Sequence, residues 1–195
     1  TATVTSSDGT NSTTQDITVG VNNLNDNPPV FTSDPTFSAA ENQRAIGTVT
    51  GSDADGNSLS FTVSGSELEI TSAGVLTFTS APDYETKASY AATVTMNDGN
   101  YSVTQDITVN VTDVNDAPVF TSNATFSADE NQTAIGSATG SDQDGNSLSF
   151  TVSGSELAIT SAGVLTFASA PDYETKSSYT ATVSMSDSIV TTAQN

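Results

Sequence analysis

The sequence predicts an all-β protein built of tandem seven-stranded Greek-key β-sandwich repeats. Three observations carry that expectation. Apolar residues alternate with polar ones over short runs: Ser58-Leu-Ser-Phe-Thr-Val63 puts Leu59, Phe61 and Val63 on one face, and Ile107, Val109 and Val111 share a face in the same way. Thr, Ser, Val, Asp, Asn and Gly dominate, while Leu, Lys, Arg and Glu, which favour helices, are scarce. Clusters of Gly, Pro, Asn and Asp bound the apolar runs every eight to twelve residues or so, and no helical period intervenes. A hydrophobic fraction of 34% is low, so each core must be thin, as between two small sheets.

In chain order, strands are expected near 36–40, 45–51, 58–64, 67–71, 74–79, 88–97 and 101–112. Seven short strands in roughly 90 residues fit a Greek-key sandwich. Phe31 and Phe120, after the linker prolines, are expected to open each core, and Tyr84 and Tyr173 to anchor packing.

The chain repeats itself at an offset of 89. Asp53-Ala-Asp-Gly-Asn-Ser-Leu-Ser-Phe61 returns as Asp142-Gln-Asp-Gly-Asn-Ser-Leu-Ser-Phe150, Ala81-Pro-Asp-Tyr-Glu-Thr-Lys87 returns at 170–176, and Glu41-Asn-Gln43 returns at 130–132. The first residues belong to a third copy, since Thr14-Gln-Asp-Ile-Thr-Val19 matches Thr104-Gln-Asp-Ile-Thr-Val109. Residues 1–26 therefore read as the C-terminal strands of one repeat and 27–116 as a complete repeat. Residues 117–195 read as a second repeat without its last strand, the counterpart of Ile107-Thr-Val-Asn-Val111.

There are 23 acidic residues against three basic ones, Arg44, Lys87 and Lys176, for a net charge of −20. Nucleic acid and anionic membrane surfaces call for basic patches and are poor partners for such a chain. Cysteine is absent, which removes disulfides and thiolate metal sites. Histidine is absent too, so no Ser-His-Asp triad is available and the chain is expected not to be an enzyme. Paired carboxylates could serve a glycosidase, but every candidate is duplicated and has another place in the pattern. No apolar run is long enough to cross a bilayer, so this segment is expected not to be membrane-embedded.

The acidic residues recur beside turn residues at fixed places. The complete repeat carries Glu41, Asp53 with Asp55, Asp83 with Glu85, Asp98, and Asp113-Val-Asn-Asp116. Asp-x-Asp puts two carboxylates on the same side of an extended segment, where both reach one hard cation. Ca²⁺ takes about six to eight oxygens from carboxylates, amides and backbone carbonyls, and Asp, Asn and Gly clusters supply that mixture.

In this order, Glu-Asn-Gln, Asp-Ala-Asp-Gly-Asn, Pro-Asp-Tyr-Glu and Asp-Val-Asn-Asp-Ala-Pro-Val-Phe resemble the cadherin repeat, in the form found in large bacterial surface adhesins. The resemblance implies Ca²⁺ ions between successive repeats. It assigns Glu41, Asp83, Glu85, Asp113 and Asp116, with the carbonyl of Val114, to two upper ions. Asn115, Asp142, Asp144, Asp187 and the carbonyl of Asn146 fall to a third. The earlier linker has only a lower half, namely Asn25, Asp26, Asn27, Asp53, Asp55, Asn57 and Asp98, and Asn23 stands where the later linker has Asp113. Glu130, Asp172 and Glu174 are the upper half of a further site.

The function implied is calcium-dependent adhesion, or a structural stalk at a cell surface, outside the cell, in which ions stiffen the array. Its partners would be neighbouring repeats of the same protein, with homophilic contacts or surface glycan as further candidates. Two other readings stay open: a repeat that binds polysaccharide, and a subunit of an extracellular filament assembled by strand donation.

Overall fold

The computed structural model describes residues 1–195, entirely as strands, turns and irregular segments. Two compact units emerge: 1–39 with 43–81 and 89–110, and 40–42 with 82–88 and 111–195.

In the first unit, β1 (Ala2–Ser7) and β2 (Ser12–Ile17) form an antiparallel hairpin. Asp8 closes its turn, where the carboxylate accepts the amides of Thr10 and Asn11 at 2.8 and 2.6 Å. The sandwich follows with β3 (Val30–Phe31), β4 (Thr36–Ala40), β5 (Ala45–Thr48), β6 (Gly51–Ser52), β7 (Ser60–Val63), β8 (Leu68–Ile70), β9 (Val75–Phe78), β10 (Ser89–Asn97) and β11 (Ser102–Thr112). One sheet runs β4-β11-β10-β7 and the other β5-β9-β8, with β3 and β6 as a short pair. The expected strand over 45–51 is two strands. A bulge between Ala45 and Gly47 shifts the register on β9, and the chain then passes to β3, with Phe31 opposite Gly51.

Alternation does what the pattern requires. Along β11, Ile107, Val109 and Val111 are buried while the residues between them are exposed. With Leu76, Phe78, Val94 and Met96 they fill the space between the sheets. Met96 is fully enclosed because Gly51 leaves room for it, a Cβ at that position overlapping the thioether. Gly74, at φ 87°, packs against the carbonyl oxygen of Val49 in the same close manner.

The second unit repeats these elements as β12 (Val119–Phe120), β13 (Ala134–Ser137), β14 (Gly140–Ser141), β15 (Ser149–Val152), β16 (Leu157–Ile159), β17 (Val164–Phe167), β18 (Val183–Ser186) and β19 (Thr191–Gln194). Its sheets are β13-β17-β16, β15-β18-β19 and β12-β14. Met185 lies against Gly140 as Met96 does against Gly51.

The two sandwiches differ at one edge. Residues 125–129 carry nearly the sequence of β4 yet form no strand. In the first sandwich β4 pairs with the C-terminal half of β11, and β19 offers no equivalent stretch. Tyr84 and Tyr173 are 37% and 64% exposed, so neither ring is the packing anchor expected of it.

Candidate metal centre

Each Asp-x-Asp segment is a turn built by its own carboxylate. Asp53 Oδ1 accepts the amides of Asp55 and Asn57 at 2.9 and 3.0 Å, and Asp142 Oδ1 accepts that of Asn146 at 3.0 Å. Gly56 and Gly145, at φ 77° and 75°, allow the chain to turn there. The second oxygens, Asp53 Oδ2 and Asp142 Oδ2, are buried and accept no hydrogen bond.

Within the second unit, one carboxylate oxygen from each of Glu41, Glu85, Asp116 and Asp144 comes within 4.8 Å of the others. Glu41 is only 2% exposed. Its two oxygens accept the amides of Val114 and Tyr84, each at 2.8 Å, so the residue joins the 82–88 turn to the 111–116 segment. Asp144 Oδ2 accepts the Asp116 amide at 2.8 Å, while Asp144 Oδ1 is buried without a donor.

Four carboxylates so close repel one another. Desolvation, followed by the charges of Glu41, Asp144 and Asp113, holds the Glu85 carboxyl above its ordinary range. Asp113 is raised as well, first by desolvation and then by Asp144 and Glu41. It lies beside the group without belonging to it. Asp83 also stands outside, because its oxygens accept the Thr86 amide and hydroxyl, each at 3.0 Å, and the Gln143 amide at 2.7 Å. Those donors hold its carboxyl low.

Asn115 and Asp187 form an adjoining group. Asp187, 3% exposed, takes the amides of Ile189 and Val190 on Oδ1, each at 2.6 Å, and the Asn115 side chain on Oδ2 at 2.8 Å. The Asn115 contact is the main reason its carboxyl sits below the ordinary range. The Asn146 side chain donates to Asn115 Oδ1 at 3.1 Å. Val114 is 44% exposed.

The first unit holds Asn25, Asp26, Asn27, Asp53, Asp55, Asn57 and Asp98 in a looser arrangement, and no group of three carboxylates closes there. Asn27 turns its amide and side chain onto Asp55 at 2.9 Å and also bonds Asp26. The Asn27 amide is the main reason the Asp55 carboxyl lies low. Asn23 donates to the Asp55 carbonyl at 2.7 Å. Asp98 is 5% exposed; burial pushes its carboxyl up, but the amides of Tyr101 and Asn100 and the Asn25 side chain hold it low. Asn25 Oδ1 and Asp98 Oδ2 are both buried without a donor. At the far edge of the second unit, Glu130, Asp172 and Glu174 form an exposed group within 4.8 Å. There Glu130 accepts the Tyr173 amide, as Glu41 accepts that of Tyr84.

Two amide side chains enter the centre without having been expected. Asn42, at φ 62°, donates to Asp116 Oδ1 at 3.1 Å, and Gln143 donates to Asp83. Both were visible in outline: Asn42 recurs as Asn131, and Gln143 is a difference from Ala54 inside an otherwise repeated motif.

Residues 25–112 match the family model of the bacterial Ig domain. No curated protein sequence matches the chain. Among solved structures, human protocadherin-24 EC1-2 superposes with a TM-score of 0.57 at 19% identity, over 88% of this chain and 93% of that one. A second crystal form gives 0.61 at 20%, over 85% and 92%. Drosophila N-cadherin EC1-4 gives 0.53 at 20%, over 81% of this chain and 45% of that one. At such identities the likeness is one of fold.

Proposed function

We propose that this chain of cadherin-like, Ig-type repeats is a calcium-stiffened segment of an extracellular adhesive or stalk protein. One observation supports this reading above the others. Six buried side-chain oxygens lack any hydrogen-bond donor, and five of them belong to Asn25, Asp53, Asp98, Asp142 and Asp144. A buried acceptor without a donor is costly, and a cation is the partner that a cluster of acceptors shares.

The chemistry of the donors narrows the ion. All are carboxylate, amide or carbonyl oxygens, and the chain has neither histidine nor cysteine, so soft and borderline metals find no preferred ligand. Mg²⁺ demands a small octahedron and keeps its waters, whereas Ca²⁺ accepts a larger and less regular set of oxygens. Glu41, Glu85, Asp116 and Asp144 would hold one ion, with Asp113 and Asp83 at its margin. Asn115, Asp142 and Asp187, with the carbonyl of Asn146, would serve another. Asn25, Asp26, Asn27, Asp53, Asp55, Asn57 and Asp98 form a lower half-site, and Glu130, Asp172 and Glu174 an upper one.

Bound Ca²⁺ would cancel the repulsion that raises Glu85 and Asp113 and tie the 41, 82–88, 111–116, 142–146 and 187 segments together. Extracellular modules bind Ca²⁺ at about 10⁻⁴–10⁻³ M, a level met outside cells and not in cytosol. Calorimetric titration with Ca²⁺ and with Mg²⁺, alongside small-angle scattering in Ca²⁺ and in chelator, tests the proposal. Saturable uptake selective for Ca²⁺, with a narrower distribution of chain dimensions, is expected. Identical scattering and no heat would end it.

A further inference from the structure

Asp83 and Glu85 stand two residues apart at one turn of the second unit, yet only Glu85 joins the four-carboxylate group. Donors hold Asp83 aside. Its Oδ1 accepts the Thr86 amide and its Oδ2 the Thr86 hydroxyl, each at 3.0 Å, an arrangement local to the turn. The third donor is of another kind. Gln143 Nε2, 60 residues along the chain, reaches Asp83 Oδ2 at 2.7 Å and gives that oxygen a second donor. An ionised carboxylate only accepts, so the amide must present its nitrogen there, and both lone pairs of Oδ2 are then engaged.

Nothing in the turn around Gln143 requires this side chain. Asp142-Gln-Asp-Gly-Asn146 differs from Asp53-Ala-Asp-Gly-Asn57 at this position alone, and the two segments turn alike. Asp53 Oδ1 accepts the Asn57 amide and Asp142 Oδ1 the Asn146 amide, each at 3.0 Å. Gly56 and Gly145 share the conformation as well, at φ 77° and 75°. The bond from Gln143 to Asp83 is thus an addition to the centre and not part of the scaffold that builds it.

Its consequence is electrostatic. Glu41, Glu85, Asp116 and Asp144 already crowd one space, and a fifth charge would add to their repulsion. The Gln143 amide keeps that fifth charge outside. A cation that gathers these carboxylates can recruit Asp83 Oδ2 only by displacing the amide. We infer that Gln143 is an affinity-setting residue of this centre, an internal donor that competes with the cation for Asp83. The inference rests on the calcium reading above. Displacing one charge-assisted hydrogen bond corresponds to about tenfold or more in a binding constant. The centre therefore fills at a Ca²⁺ concentration about tenfold higher than its carboxylates alone would set.

Calorimetric titration of the chain with Ca²⁺ tests this in four forms: wild type, Gln143→Ala, Asp83→Asn and the two substitutions combined. Gln143→Ala should tighten binding about tenfold. It should fold as wild type does, because Ala54 supports the same turn in the first copy. Added to Asp83→Asn it should bring no gain, since the carboxylate it would free is gone. Nuclear magnetic resonance of the Gln143 side-chain amide gives a separate readout. Its protons should exchange slowly with water in chelator and rapidly once Ca²⁺ is bound. Equal or weaker binding by Gln143→Ala, or a gain that survives Asp83→Asn, would overturn the inference and leave the calcium reading standing. So would unchanged amide exchange in a chain that takes up Ca²⁺. No uptake by any of the four forms would overturn both.

Discussion

Glu41→Gln separates the two roles its carboxylate combines. The side chain is 2% exposed and accepts two backbone amides at 2.8 Å, and it faces Glu85, Asp116 and Asp144. Glutamine keeps the shape but turns one acceptor into a donor aimed at an amide N–H. The loss of one charge-assisted hydrogen bond costs about 1.5–3 kcal/mol. Removing one negative charge from a group of four offsets part of this in chelator, so the cation-free melting temperature should move little. In Ca²⁺ the outcome differs. Wild type at 100 times its dissociation constant gains about 2.7 kcal/mol. For a chain of this length that corresponds to a rise of about 5–11 °C. If the substitution weakens binding a hundredfold, about 2.3 kcal/mol of that gain disappears at the same Ca²⁺ concentration. Scanning calorimetry of both chains in Ca²⁺, Mg²⁺ and chelator measures each quantity. An equal Ca²⁺-dependent shift in both chains, or an equal loss of stability with and without Ca²⁺, would show Glu41 to be a structural cap and nothing more.

Gly74→Ala should destabilise the first sandwich by about 2 kcal/mol or more, because an added Cβ runs into the Val49 carbonyl oxygen and φ is 87°; urea unfolding checks it. Arg44→Ala should cost less than about 1.5 kcal/mol in the same assay, since its ion pair with Glu69 is exposed and only the hydrogen bond to the Phe78 carbonyl is lost besides. In the cation-free chain, acidification should first stabilise and then destabilise. Glu85 and Asp113 lie above their unfolded values, so the cost of their charge is full at neutral pH and is relieved as pH falls through the raised values. Asp98 and Asp187 lie below theirs, so their contribution is lost at lower pH still, as pH falls through the depressed values. Melting temperature against pH should therefore pass through a maximum in chelator. With Ca²⁺ it should only fall, because protons then compete with the ion.

The strands were legible because a half-buried strand writes its period into the sequence; β10 and β11 fall where alternation and turn residues put them. The break between β5 and β6 was not, since a bulge and a change of sheet leave no mark on a run such as Ala45–Gly51. Nor could Thr125-Phe-Ser-Ala-Asp129 be told from Thr36-Phe-Ser-Ala-Ala40, although only the latter is a strand. That outcome depends on a partner far along the chain. At the candidate centre, the fixed spacing of acids beside turns located the segments that converge. It left open which way each carboxylate turns. Asp83 and Glu85 sit two residues apart, yet Thr86 and Gln143 claim the first while the second faces Glu41.

The glycine beneath each methionine has an effect on chemical durability. The chain holds two methionines and no cysteine, and both thioethers are wholly enclosed, so its surface offers no oxidisable sulfur. Peroxide can reach Met96 or Met185 only when the sandwich around it opens. Sulfoxide formation at the two positions is thus a pair of built-in clocks, one per sandwich.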